Sequence, residues 1–142
     1  MSISYKTDKS FSKQQIADLF AFTGWTTAQY PAKLTNAINN SHEVISAWDD
    51  EKLIGLISTI SDGSINMFIT YLLVLPDYQN KGIGQELMKR TLSKYEGFGR
   101  QILTTTISKL GKYYEQFGFS VGDEGVMFLK DWPEIDDVKE AR

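Results

Sequence analysis

Cysteine is absent from these 142 residues, so the chain forms no disulfide, offers no thiolate to a metal and carries no cysteine nucleophile. Histidine occurs once, as His42, which argues against a histidine-ligated metal and against a histidine-based catalytic triad. A surface or strand-start histidine is the simpler reading, and no metal is expected. Long apolar runs are missing too. None approaches the roughly 18 to 20 residues of a membrane-spanning helix. The opening Met1-Ser-Ile-Ser-Tyr-Lys-Thr-Asp8 has no basic start followed by an apolar core, so it does not read as a secretory signal. No membrane is expected as a partner, and cytoplasm is the expected location. Basic charge is not in excess: 15 Lys and Arg against 18 Asp and Glu leave a net charge of −3. Nucleic-acid binding, which uses a clustered basic face, is not expected.

What is present suits one domain over 1–142, long enough to bury a core without staples, with a charged, loose tail over 131–142. The segment 3–7 alternates weakly and reads as a first strand. Ser10 or Ser12 caps a helix whose apolar face carries Ile16, Leu19, Phe20 and Phe22, and Gly24 ends it. A loop over 25–31 follows, and Pro31 opens a second helix that runs to Asn39 and Asn40. The period then changes. Strands over 43–48 and 52–60 flank a turn at Asp49, and a second turn at 61–64 leads to a strand over 66–74, which makes an antiparallel meander. A helix over 82–95 places Ile83, Leu87, Met88 and Leu92 on one stripe, with Glu86 and Arg90 spaced for an ion pair. Beyond Gly97 and Gly99, a strand over 101–107 is expected parallel to the meander's last strand. It is followed by a short helix over 109–116 and a final strand over 126–130.

The most informative stretch is Val74-Leu-Pro-Asp-Tyr-Gln-Asn-Lys-Gly-Ile-Gly84, where a strand stops at Pro76 and two glycines turn the backbone into a helix start. Unpaired N–H groups and the positive end of the helix dipole, roughly half a charge, converge there on an anion. Competing phosphate motifs fail: the chain has no Gly-x-x-x-x-Gly-Lys-Ser/Thr, and Gly82-x-Gly84 lacks a third glycine and a following acid at dinucleotide spacing.

Gln79-x-x-Gly82-x-Gly84 resembles the acyl-coenzyme A signature of the GNAT superfamily of N-acetyltransferases. Downstream, Lys112-Tyr-Tyr-Glu-Gln-Phe-Gly-Phe119 is similar to that family's closing Phe-Tyr-x-x-x-Gly-Phe element. A narrower likeness, through Leu53-Ile-Gly-Leu56, Ser61-Asp-Gly63, Pro76-Asp-Tyr-Gln79 and Met127-Phe128, is to small bacterial members similar to plant-type serotonin N-acetyltransferases. It covers just over half the chain. The resemblance implies an α/β (α+β) GNAT fold: a mixed central sheet, an antiparallel N-terminal meander, parallel strands splayed around the coenzyme and about four flanking helices.

By that resemblance acetyl-coenzyme A is the acyl donor and a small-molecule primary amine the acceptor, with direct transfer in a ternary complex. A protein lysine or N-terminus as acceptor, and an acyl-coenzyme A sensor without turnover, are the alternatives. Leu72, Leu73 and Val74 correspond to the strand that holds the pantetheine arm. Gln79, Asn80, Lys81, Gly82, Ile83 and Gly84 correspond to the pyrophosphate grip. Tyr114 corresponds to the general acid that protonates the departing thiolate. Where many relatives carry a carboxylate on the strand before the glycine turn, this chain has Tyr71. Glu43, Asp62 and Asp77 remain as remote base candidates, each more simply a solvated turn or strand-end charge. Tyr71 falls where substrate contacts would lie, while Trp25 and Tyr30 read equally as acceptor-pocket or packing residues. A mildly acidic surface suits a cationic amine. A C-terminal edge strand and exposed aromatics are compatible with a homodimer.

Overall fold

The computed structural model describes residues 2–131. Strand β1 (Ile3–Lys6) alternates half-buried and exposed positions and pairs antiparallel with β2 (Glu43–Asp49). Between them lie α1 (Lys13–Phe20), a 3-10 turn (Thr26–Gln29) and α2 (Pro31–Asn39). Ser12, not Ser10, starts α1. Its Oγ accepts from the Gln15 N–H at 3.1 Å while Gln15 Oε1 accepts from the Ser12 N–H at 2.9 Å, a reciprocal cap that satisfies two otherwise orphaned donors. Ile16, Leu19 and Phe20 are fully buried, and with Leu34 and Ile38 of α2 they cover one face of the sheet. Phe22 departs from expectation. The helix ends before it, and the side chain is 41% exposed.

The meander continues through β3 (Lys52–Ser61) and β4 (Asn66–Val74), and β5 (Arg100–Leu103) pairs parallel with β4, giving the sheet order β1-β2-β3-β4-β5. Helix α3 (Ile83–Lys94) crosses the opposite face, burying Ile83, Leu87, Met88 and Thr91, and α4 (Ile107–Glu115) adds Tyr114 beside that second core, joined by Phe117 just after the helix. The expected Glu86–Arg90 pair forms at 2.8 Å.

Two expectations fail at the C-terminal end. The strand over 101–107 stops at Leu103, because Ile107 already opens α4. The segment 126–130 is not a strand: it has no ladder partner among the described residues, and Met127 and Leu129 stand 95% and 98% exposed. Strand preference is the fit of side chains to a neighbouring strand and a covered face, and this segment has neither. Of the tail expected over 131–142, all but Asp131 lies outside the described residues.

The turn after β3 disposes of one candidate base. The Asp62 carboxylate accepts from the backbone N–H groups of Asn66, Ile65 and Ser64 and from Asn66 Nδ2, which holds it well below the usual carboxylate range. A depressed folded pKa gives stability that is complete above the unfolded value, about 4, and is lost as pH falls through the folded one. Asp62→Asn should therefore flatten the acid-side decline of Tm below about pH 4. An unchanged slope in thermal melts would show that this turn is not an acid-sensitive contact.

Candidate active site

The site begins with one extra residue. Opposite β3, Ser58 faces Tyr71 while the next residue, Thr59, faces Ile69, so Thr70 is a bulge. Its Oγ1 donates to the Ser58 carbonyl at 3.1 Å and lies 2.8 Å from Ser58 Oγ, which fixes the irregularity. Bulges bend the strand that carries them and end pairing. Accordingly β4 pairs with β5 only over Asn66–Ile69, and from Tyr71 to Val74 it keeps β3 on one side and nothing from β5 on the other. A cavity of about 690 Å³ occupies this gap, within the size range of small-molecule sites. Leu72, Leu73 and Val74 line it.

At the top of β4 the chain makes a 3-10 turn (Pro76–Tyr78) tied down twice. Tyr78 Oη donates to Asp49 Oδ2 at 2.6 Å, and Gln79 Nε2 donates to the Val74 carbonyl at 2.9 Å. The bond to Asp49 raises the Tyr78 pKa, and the same bond, reinforced by the Ser2 N–H, lowers that of Asp49. The Gln79 side chain thus braces the loop. Asn80 (φ 61°) and Gly82 (φ 83°) are both left-handed, and Gly82 opens α3 with no side-chain cap. Consequently the first N–H groups of α3, those of Ile83, Gly84 and Gln85, have no acceptor among the described residues and face the anion-favouring end of the helix dipole. A β-carbon on Gly84 would stand 2.9 Å from Tyr113 Oη, so any other residue here must displace the Tyr113 hydroxyl or the helix start. Gln79, Asn80, Gly82, Ile83 and Gly84 all line the cavity. Lys81 is exposed and outside its lining.

Helix α4 closes the other side. Tyr113 and Tyr114 both line the cavity, with ring centroids 5.1 Å apart in edge contact. Tyr113 also rests against Phe117 and Tyr114 against Phe119. Burial raises both phenol pKa values, and for Tyr114 the neighbouring Tyr113 adds to the effect. Gln85 Nε2 donates to Gln116 Oε1 at 3.0 Å, a second tether between α3 and α4.

The remaining wall comes from the segment after α1. Phe22, Thr23 and Trp25 line the cavity, and Trp25 is 40% exposed. Its ring packs on Tyr71 (6.0 Å) and on Phe20 (5.9 Å), and Phe20 in turn meets Tyr71 edge-on at 5.4 Å. Tyr71 therefore supports this wall from behind. Tyr30 does not reach it: at 2% exposure it belongs to the interior. Because the lining draws on both the α1 side and the α3 side of the sheet, the cavity threads the gap from one face to the other. Sequence reading missed Tyr113, Tyr78 and Phe22. Only Tyr113 had a visible signal, its place next to Tyr114 on a helix that presents neighbouring residues about 100° apart.

Among the described residues no three His, Cys, Asp or Glu side chains come together as a metal site, and no helix is long and apolar enough to cross a membrane. The family model described as "Acetyltransferase (GNAT) domain" matches residues 7–129. The chain belongs to the GNAT family. Its fold overlays that of the GNAT family protein SP0256 from Streptococcus pneumoniae TIGR4 with a TM-score of 0.79 and 27% identity, covering 91% of this chain and 98% of that one. Histone acetyltransferase TAP1 of Glycine max is 28% identical over 109 residues, 67% of this chain and 46% of that protein. The chain spans about half the length of the curated relatives it matches. The structure titled AAC(6')-Iy in complex with a bisubstrate analogue, CoA-S-monomethyl-acetylneamine, shares the GNAT fold at a TM-score of 0.68 and 13% identity, covering 92% of this chain and 99% of that one. One cavity thus joins the stretch of β4 beyond its pairing with β5 to the uncapped start of α3.

Proposed function

We propose that this GNAT domain transfers the acetyl group of acetyl-coenzyme A to a primary amine of a small molecule, directly and within a ternary complex. The observation that carries the reading is the continuity of the cavity. Strand backbone at Leu72–Val74, with β3 on one side and no strand on the other, leads without interruption to the uncapped N–H groups of α3. A pantetheine arm is an amide-bearing chain that suits the first, and a pyrophosphate suits the second. The cradle fits that group on its own geometry, since Gly82 supplies the turn and Gly84 the room.

In this reading a backbone N–H of Leu73 or Val74 polarises the thioester carbonyl, and the Tyr114 hydroxyl, kept protonated by burial, hands its proton to the departing sulfur. Tyr113 has a different part. Its hydroxyl lies over the α3 start, where it can donate to a phosphate oxygen. Tyr113→Phe should weaken coenzyme affinity roughly five- to tenfold, the worth of one hydrogen bond to a charged group, with kcat nearly unchanged. A fall in kcat at constant affinity would reverse the assignment of the two tyrosines.

The deciding experiment is calorimetric titration with acetyl-coenzyme A, followed by an amine panel read by thiol release. Micromolar binding and amine-dependent release support the reading. No binding by a folded chain would end it. A lysine peptide belongs in the panel because TAP1 is named a histone acetyltransferase. Turnover of the peptide alone would move the acceptor class from small molecule to protein.

A further inference from the structure

The cavity lining contains aromatic rings, aliphatic side chains, amides and backbone, and none of its residues carries a formal charge at neutral pH. Carboxylates on the surrounding elements lie outside that lining, and most are engaged. Asp18 on α1 accepts from Gln14 Nε2 at 2.7 Å, Asp49 holds Tyr78, and Glu86 holds Arg90. Asp77 and Glu115 are exposed at the surface, as are Lys81, Lys109 and Lys112. Among the described residues, Tyr71, Tyr78, Tyr113 and Tyr114 are the ionisable groups left in or beside the cavity. An ammonium brought against that lining gives up hydration without pairing directly with a carboxylate, which favours its neutral form.

Resting on the acetyl-transfer reading above, we propose that the acceptor is an apolar, weakly basic monoamine that arrives uncharged, its aromatic body against Trp25 and its own pKa setting the pH dependence of transfer. The Trp25–Tyr71–Phe20 cluster gives the ring a rigid wall, because the fully buried Phe20 and the half-buried Tyr71 both pack against the exposed Trp25. A polycation finds nothing in the lining to pair with.

The protons balance without a carboxylate. The amine nitrogen bonds to the carbonyl carbon and the carbon–sulfur bond breaks. Tyr114 protonates the sulfur, and the nitrogen, acidic once acylated, returns its surplus proton to the tyrosinate. The products are an amide and a thiol, and Tyr114 ends as it began.

The test uses the full chain at saturating acetyl-coenzyme A, with aniline-type, benzylamine-type and spermidine acceptors followed from about pH 6 to pH 9. In the expected result, kcat/KM rises about tenfold per pH unit for the benzylamines, bends earlier for those made less basic by ring substituents, and is flat for the anilines. Spermidine should be at least about tenfold poorer than benzylamine at neutral pH, and Trp25→Ala should cost the aromatic amines about tenfold in kcat/KM, mainly through KM, with coenzyme affinity intact. One inflection shared by all amines would mark an enzyme base and overturn the proposal, as would a preference for spermidine, while leaving acetyl transfer in place. Coenzyme binding with no turnover of any amine would overturn both readings.

Discussion

A Gly84→Glu chain should fold normally and lose acetyl-coenzyme A binding by at least about 100-fold. The new β-carbon would begin 2.9 Å from Tyr113 Oη, so either the ring or the α3 start must shift. The carboxylate would then occupy the space over the free N–H groups, and against a pyrophosphate such a like-charge encounter is worth several kcal/mol. Folding should survive for the same electrostatic reason, since an acid in the first turn of a helix is stabilising. Calorimetry beside a thermal melt separates the two effects. Retained affinity would show that the coenzyme does not use this helix start, and a collapsed melt would require Gly84→Ala as the milder probe.

Tyr114→Phe should lower kcat by about 10²- to 10⁴-fold, the usual worth of one positioned acid, with coenzyme affinity and Tm close to the parent. The phenol hydroxyl makes no hydrogen bond among the described residues, so its removal leaves no partner unsatisfied, while the ring keeps its contacts with Tyr113 and Phe119. Because burial raises its pKa, Tyr114 should remain a competent acid throughout the neutral range, and the activity lost by its ionisation should appear only above about pH 10. Near-parent turnover in the phenylalanine variant would assign sulfur protonation to water or to Tyr113.

Much of this was legible in the chain because local signals agreed with tertiary ones. The loop from Val74 to Gly84 announces its own geometry, since Pro76 stops a strand and Gly82 takes a conformation that other residues resist. Helix α1 was placed by its apolar spacing, although the choice between Ser10 and Ser12 needed the reciprocal bond to Gln15. What could not be read depended on neighbours distant in sequence. Thr70 as a bulge is invisible until Ser58 lies opposite, and Tyr30 cannot be told from a pocket residue until its surroundings close over it. The run 126–130 shows the reverse failure: its composition suits a strand, and no partner among the described residues makes it one.

The bulge at Thr70 has a consequence for solubility. An unpaired strand edge is a template for other strands, and chains that expose one tend to stick edge to edge. Here the open edge of β4 lines a cleft whose other walls come from α3, α4 and the segment around Trp25, which leaves little room for a second polypeptide strand with its neighbours. Helix α4 is held where Tyr114 packs on the second core and by the Gln85–Gln116 bond, so the contacts that shape the cleft also guard the chain against self-association. Loosening α4 should therefore show first as aggregation, through the newly exposed edge of β4.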